Sequence, residues 1–352
     1  MYSMYLRIRN YIILSGIILM ASCSGTSYDT VYPTLSDGKY DSEFPYRNCS
    51  EQLENIAQSL VKLDVLVFYH TYSFTHESRT TLEAIRSSDS KLSDLASSTD
   101  IFTESVGGTA STIYYNGNHI AFLSCAHIVD YPDTVISYYP YPDDKIIQVI
   151  GVKARQENNI STISGGDGME ILAIDKDADI VIIGKEFQAE ELQNINLMNY
   201  PLGESEELEW GSFVYMMGFP LGHAMITRGI VSDPQRIRKG TFLIDAVFNH
   251  GFSGGPVIAV RDGVPNFEIV GMIKSSAAEN KLYIVPGDAH NKNELNFLEP
   301  YNGKLKLKSE KDIKYGITFS VTTEILRNFY KKNKQSLKEK GYDLDEFFLA
   351  GN

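Results

Sequence analysis

The chain has 352 residues and a formal net charge of −13, with 43% hydrophobic and 22% charged residues. That is enough for a real core in one large domain or two small ones. The acidic balance excludes a general nucleic-acid binder, since neutralising phosphates needs a basic surface, and charge alone does not draw the chain to anionic lipid.

Residues 1–22 read as a leader. Arg7 and Arg9 precede an apolar run from Tyr11 to Ala21, too short to span a bilayer comfortably and the size of a signal-peptide core. Ala21-Ser22-Cys23 follows. This resembles a bacterial lipoprotein signal, in which the cysteine becomes the acylated first residue, although Met20 stands where such signals usually carry Leu. The resemblance implies lipidation at Cys23 and contact with a membrane through the lipid. Cleavage near Ser22 with an unmodified Cys23 is the alternative. Cys49 and Cys125 then remain; one pair is no disulfide framework, and whether they bond is not readable from sequence.

Residues 23–49 are rich in Ser, Asp, Tyr, Gly and Pro, the composition of a tether. Ser50 is expected to cap a helix carrying Leu53, Ile56, Leu60 and Leu63 on one face. Beyond it lie short apolar runs bounded by turn residues: Val65–Tyr72, Ala110–Tyr115, Ile120–Ser124, Ile146–Val152, Ile171–Ile174, Ile180–Ile183, Phe213–Gly218, Phe242–Phe248, Val257–Val260, Ile269–Ile273 and Ile317–Val321. So many strands with so few helices predict an all-β sandwich or barrel. Residues 76–104 and about 276–312 read as polar insertions. Thr322 is placed to cap a helix with Ile325, Leu326, Phe329 and Tyr330 on one face, continuing exposed to Gly341. The expected division is a leader (1–22), a tether (23–49), one domain (50–331) and a helical tail (332–352).

Three segments carry chemistry. GFSGGP at 251–256 holds a serine between glycines, which permit a tight turn and close approach of a substrate carbonyl to backbone N–H groups. Alone it also satisfies the nucleophile elbow of α/β-hydrolases, or a plain glycine-rich turn. AFLSCAHIVD at 121–130 puts His127 directly after an apolar strand, where a fixed general base is useful; a lone histidine there is more often structural. DADIVIIGKE at 177–186 puts Asp179 at a strand entrance, able to hold an imidazole tautomer, though such an aspartate is usually turn chemistry.

Together these segments resemble the chymotrypsin-like serine peptidases, and the HtrA-type bacterial branch most closely. LSCAH (123–127), DIVI (179–182) and GFSGGP (251–256) occur in the family's order. GSFVYMMGFPLG (211–222), RGIVSD (228–233), VGMIKSSA (270–277) and GITFSVTTEIL (316–326) resemble intervening and closing segments, so the likeness covers about residues 105–330. It implies two antiparallel six-stranded β-barrels, with His127 as general base and acid, Asp179 as orienting acid and Ser253 as nucleophile. It implies an oxyanion hole from the N–H groups of Gly251 and Ser253, and Val247 at the base of the primary specificity pocket. Ile273 and Lys274 would lie on the strand that pairs with a peptide or protein substrate. No metal or cofactor is implied, and the oligomeric state is not readable.

Two departures stand out. Phe252 replaces the Asp or Asn that usually precedes the nucleophile, so activation by a newly cleaved N-terminus is not expected. The chain is also too short for the PDZ domain common in that branch. Two alternatives compete with a peptidase. An α/β-hydrolase requires a helix after the serine, whereas Pro256 to Val260 reads as a strand. A catalytically silent binding or scaffold lipoprotein would keep the barrels, and Phe252 favours it.

Overall fold

The computed structural model describes residues 33–140, 143, 145–187, 195–234, 240–286 and 305–349, with the backbone alone for 33–34, 277–286 and 305–315. The leader, Cys23 and the first part of the tether lie outside the described residues.

Helix α1 (Ser50–Gln58) leads into β1 (Leu60–Ser73). The expected single helical face through Leu60 and Leu63 is corrected here, because the helix ends before Leu60. From Leu60 to Tyr69 buried and half-buried residues mostly alternate, the period of a strand, and β2 (Ser98–Tyr115) pairs along the whole of it while β5 (Ile147–Ile160) pairs from Leu63 onward. Ladder hydrogen bonds on both sides outweigh a helical spacing that four leucine-type residues match by chance. The cap residue is Cys49 rather than Ser50, whose hydroxyl donates to Asn48 Oδ1 at 2.8 Å.

The first half is a seven-stranded sheet in the order β4-β5-β1-β2-β3-β7-β6, adding β3 (His119–Ser124), β4 (Thr134–Tyr138), β6 (Glu170–Asp175) and β7 (Ile180–Glu186). The second is a closed barrel ordered β10-β13-β12-β11-β8-β9. Its strands are β8 (Phe213–Gly218), β9 (Met225–Asp233), β10 (Thr241–Asp245), β11 (Pro256–Val260), β12 (Phe267–Pro286) and β13 (Leu305–Thr322). The double-barrel expectation therefore holds, with one closed six-stranded barrel and one open, seven-stranded half-barrel. The additional strand is β4, an edge whose residues are mostly exposed and which carries no buried-face pattern to announce it.

Among the other helices, α2 (Leu82–Ser87) and α3 (Leu92–Leu95) occupy the insertion at 76–104, and α4 (Ala126–Val129) is a single turn after β3. The described part of the second insertion is the outer stretch of β12 and β13, paired rung by rung from Ala277↔Lys314 to Pro286↔Leu305. Helix α5 (Thr323–Glu339) starts as predicted, with the Thr322 hydroxyl accepting from Ile325 N. Its continuation is not fully exposed: Leu337 is buried, and α6 (Asp345–Leu349) folds back. There the Phe348 ring stacks on Tyr330, with centroids 4.6 Å apart, and Tyr330 donates to Asp345 Oδ1 at 2.8 Å.

The described part of the tether, from Pro33, runs along the second barrel. Asp41 N donates to Val260 O at 2.9 Å, and Phe213 N donates to Asp41 O at 2.8 Å. Tyr40 donates to Glu268 Oε2 at 2.6 Å, beneath the Arg261 guanidinium. The buried Asp41 carboxylate accepts from Gly263 N at 3.1 Å, and burial raises its pKa to about 6. The folded-state value thus lies above the unfolded one of about 3.9. Its stabilising contribution is complete below that lower value and is lost as pH rises through about 6. Asp41→Asn keeps an acceptor for Gly263 and removes the charge. It should leave the melting temperature nearly unchanged at about pH 4 and raise it by several degrees at about pH 8 in thermal scans.

Candidate active site

His127 is presented by α4, the single turn that follows β3. Asp179 stands at the turn between β6 and β7 in the left-handed region, with φ 63°, a conformation an aspartate tolerates better than most side chains. Asp175 shapes that turn by accepting from Asp177 N at 3.1 Å and Ala178 N at 2.9 Å. The Asp179 carboxylate then meets His127 twice. Its Oδ1 accepts the His127 backbone N–H at 2.8 Å, and Oδ2 lies 2.9 Å from Nδ1. With Nδ1–H donating to the carboxylate, Nε2 is left as the acceptor of a neutral ring. Asp179 is buried, while the His127 side chain is nearly half exposed.

Ser253 sits on the turn between β10 and β11. Gly251 (φ 107°) and Gly254 (φ 85°) are required there on two counts. Both adopt positive φ, and a Cβ at either would collide with backbone: the Phe219 carbonyl for Gly251, the Thr109 carbonyl for Gly254. The turn is stitched to the first sheet by Thr109, which is fully buried on β2. Thr109 N donates to Ser253 O at 2.9 Å, its hydroxyl donates to Gly251 O at 2.6 Å, and Phe219 N donates to the same hydroxyl at 2.9 Å. Among the described residues, the N–H groups of Gly251 and Ser253 have no acceptor. Two free donors beside a serine are what a developing oxyanion needs.

Phe252 between them is buried in the second barrel's core, its ring 6.4 Å from that of Phe248. An apolar anchor thus holds the loop where the resemblance leads one to expect an Asp or Asn. The Ser253 hydroxyl donates to the Lys274 carbonyl at 3.2 Å and makes no hydrogen bond with His127.

Of the residues expected to meet substrate, Lys274 supplies that carbonyl from a bulge in the β12–β13 register, and its ammonium lies 3.5 Å from Ala178 O. Ile273 is fully buried. Its N–H and C=O are both taken within the fold, by Gly255 O and Gly254 N, so it packs the site and offers a ligand no backbone group. Val247 is 56% exposed, a surface position and not an enclosed pocket floor. Cys49 and Cys125 are both free thiols. Thr109 escapes sequence reasoning altogether, because a threonine in a run of small residues carries no chemical signature until the second barrel is laid against it.

Phe252→Ala should destabilise the fold by about 3–5 kcal/mol and loosen the serine turn. Urea denaturation reads the first effect, and the rate of reaction with a serine-directed phosphonate reads the second.

Residues 108–272 match the family model of the trypsin-like peptidase domain, a span that includes His127, Asp179 and Ser253. No curated protein matches the sequence. Residues 108–272, which run from the open sheet into the closed barrel, therefore carry the trypsin-like peptidase domain, and this supports the chymotrypsin-like serine peptidase family.

Proposed function

We propose that this protein is a serine endopeptidase working through Ser253, His127 and Asp179. The observation that supports this best is the pairing of His127 Nδ1 with Asp179 at 2.9 Å, in a fold where Ser253 keeps two N–H groups without an acceptor among the described residues, its own and that of Gly251. A substrate carbonyl placed against Gly251 N and Ser253 N brings its carbon to Ser253 Oγ. His127 Nε2 takes the hydroxyl proton as the C–O bond forms, and the oxyanion is held by the two amides. The imidazolium, stabilised by Asp179, gives that proton to the leaving amine, and the C–N bond breaks. Water repeats the sequence on the acyl-enzyme and restores Ser253.

The same reading places the enzyme outside the cytoplasm, in a bacterial cell envelope and anchored through Cys23. What supports this is the order Arg7, Arg9, an apolar run and Cys23. Expressed in a bacterial host, the full chain should take up labelled fatty acid and sediment with membranes, and Cys23→Ser should abolish both.

The catalytic reading is tested with a fluorescent fluorophosphonate on purified protein. Wild type should label, Ser253→Ala should not label at all, and Asp179→Asn or His127→Ala should react about 10⁴-fold more slowly. A well-folded wild type that stays unlabelled would replace this reading with that of a silent binding module on the same fold.

A further inference from the structure

Cys125 lies two residues before His127, fully buried at the junction of β3 and α4, with its Sγ 3.2 Å from the Ile273 carbonyl. The peptidase chemistry makes no use of it. Its sulfur, a ring nitrogen of His127 and a carboxylate oxygen of Asp179 nevertheless all lie within 4.8 Å of one another. We infer that these three side chains form an inhibitory site for a thiophilic divalent cation, with zinc as the natural probe.

Thiolate, imidazole and carboxylate at about 2.0–2.3 Å are the ligands zinc takes in four-coordinate sites. That geometry sets ligand atoms about 3.3–3.8 Å apart, so three atoms already within 4.8 Å need only modest side-chain movement to converge. Two of the three are buried, while His127 lies at the cleft and gives the ion a way in. A fourth position is left for water. Magnesium and calcium, which prefer oxygen cages, find too few oxygens in this set.

Binding is balanced as follows. Cys125 loses its thiol proton to solvent and releases the Ile273 carbonyl. The Nδ1 proton of His127 also leaves, and Nε2 takes one up, so the ring stays neutral with the metal on Nδ1. Thiolate and Asp179 offset the double charge of the ion; the Lys274 ammonium, held near Ala178, opposes it. The consequence for catalysis follows from the tautomer. Nε2 now carries a proton and cannot accept one from Ser253, and Asp179 is drawn from imidazole to metal. The ion therefore blocks the base and its orienting acid together, and chelation restores both.

Binding does not depend on the peptidase reading, but inhibition does, so the test has two readouts. Fluorophosphonate labelling of the purified protein is followed with zinc, with magnesium and with EDTA. Cobalt(II) absorption is recorded separately, since thiolate coordination adds an intense charge-transfer band. Wild type and Cys49→Ala should be slowed at least tenfold by micromolar zinc, unaffected by magnesium and restored by EDTA, and should show the band. Cys125→Ala and Cys125→Ser should lack the band and need at least tenfold more zinc, while their labelling in EDTA reports that the site remains folded. Equal zinc sensitivity in both Cys125 variants, or no band in wild type, would overturn the inference. A band in a wild type that never labels, even in EDTA, would sink the peptidase reading and leave the metal site standing.

Discussion

The hydrogen bonds of Thr109 are the contact on which the site depends. This residue belongs to the open sheet, yet its N–H and hydroxyl hold the carbonyls of Ser253 and Gly251, and its hydroxyl also receives Phe219 N. With both carbonyls held by the first half, the N–H groups of Gly251 and Ser253 keep no acceptor among the described residues. The Ser253 turn thus takes its shape from the opposite half of the molecule. Docking of the two halves and shaping of that turn become one event, since a buried threonine that lost these partners would carry an unpaired hydroxyl.

The second support is apolar. Phe252 occupies the position next to Ser253 and buries its ring in the barrel core beside Phe248. A loop held by packing needs no ion pair with a newly formed N-terminus. The N-terminal segment is accordingly used elsewhere, as a strap whose backbone bonds to Val260 and Phe213. Tyr40, Arg261 and Glu268 lock that strap with a half-buried hydroxyl–carboxylate bond and a guanidinium over the ring.

Much of this was legible because burial writes itself into composition. The run Ile180–Ile183 is fully buried and reads as a strand from its residues alone, and the motifs around His127, Asp179 and Ser253 mark chemistry that few other sequences need. What escaped had a local pattern that tertiary contacts overruled or failed to produce. Leu60 and Leu63 share a helical spacing with Leu53 and Ile56, but pairing with β2 and, from Leu63, β5 decides for strand. The edge strand β4 buries too little to be seen. Asp-Glu-Phe-Phe-Leu lies in the expected helical tail, yet Phe347 and Phe348 are buried, and Phe348 stacks on Tyr330 of the preceding helix. Thr109 has no neighbours in sequence that hint at its role and acquires it only across the interface, where it meets Gly251 and Ser253.

Because the N-terminal segment is bonded to the second barrel from Gly38 onward, a lipid on Cys23 would leave only a short leash. Fifteen residues reach at most about 54 Å when fully extended. An acidic body so close to an anionic leaflet is pushed outward by its own charge, over a screening distance of about 8 Å. On the proposed anchor at Cys23, that leash and that repulsion would together hold the domain in a thin layer above the membrane. A peptidase so held would meet chains that are emerging from, inserted in or attached to that surface far more often than those diffusing beyond it.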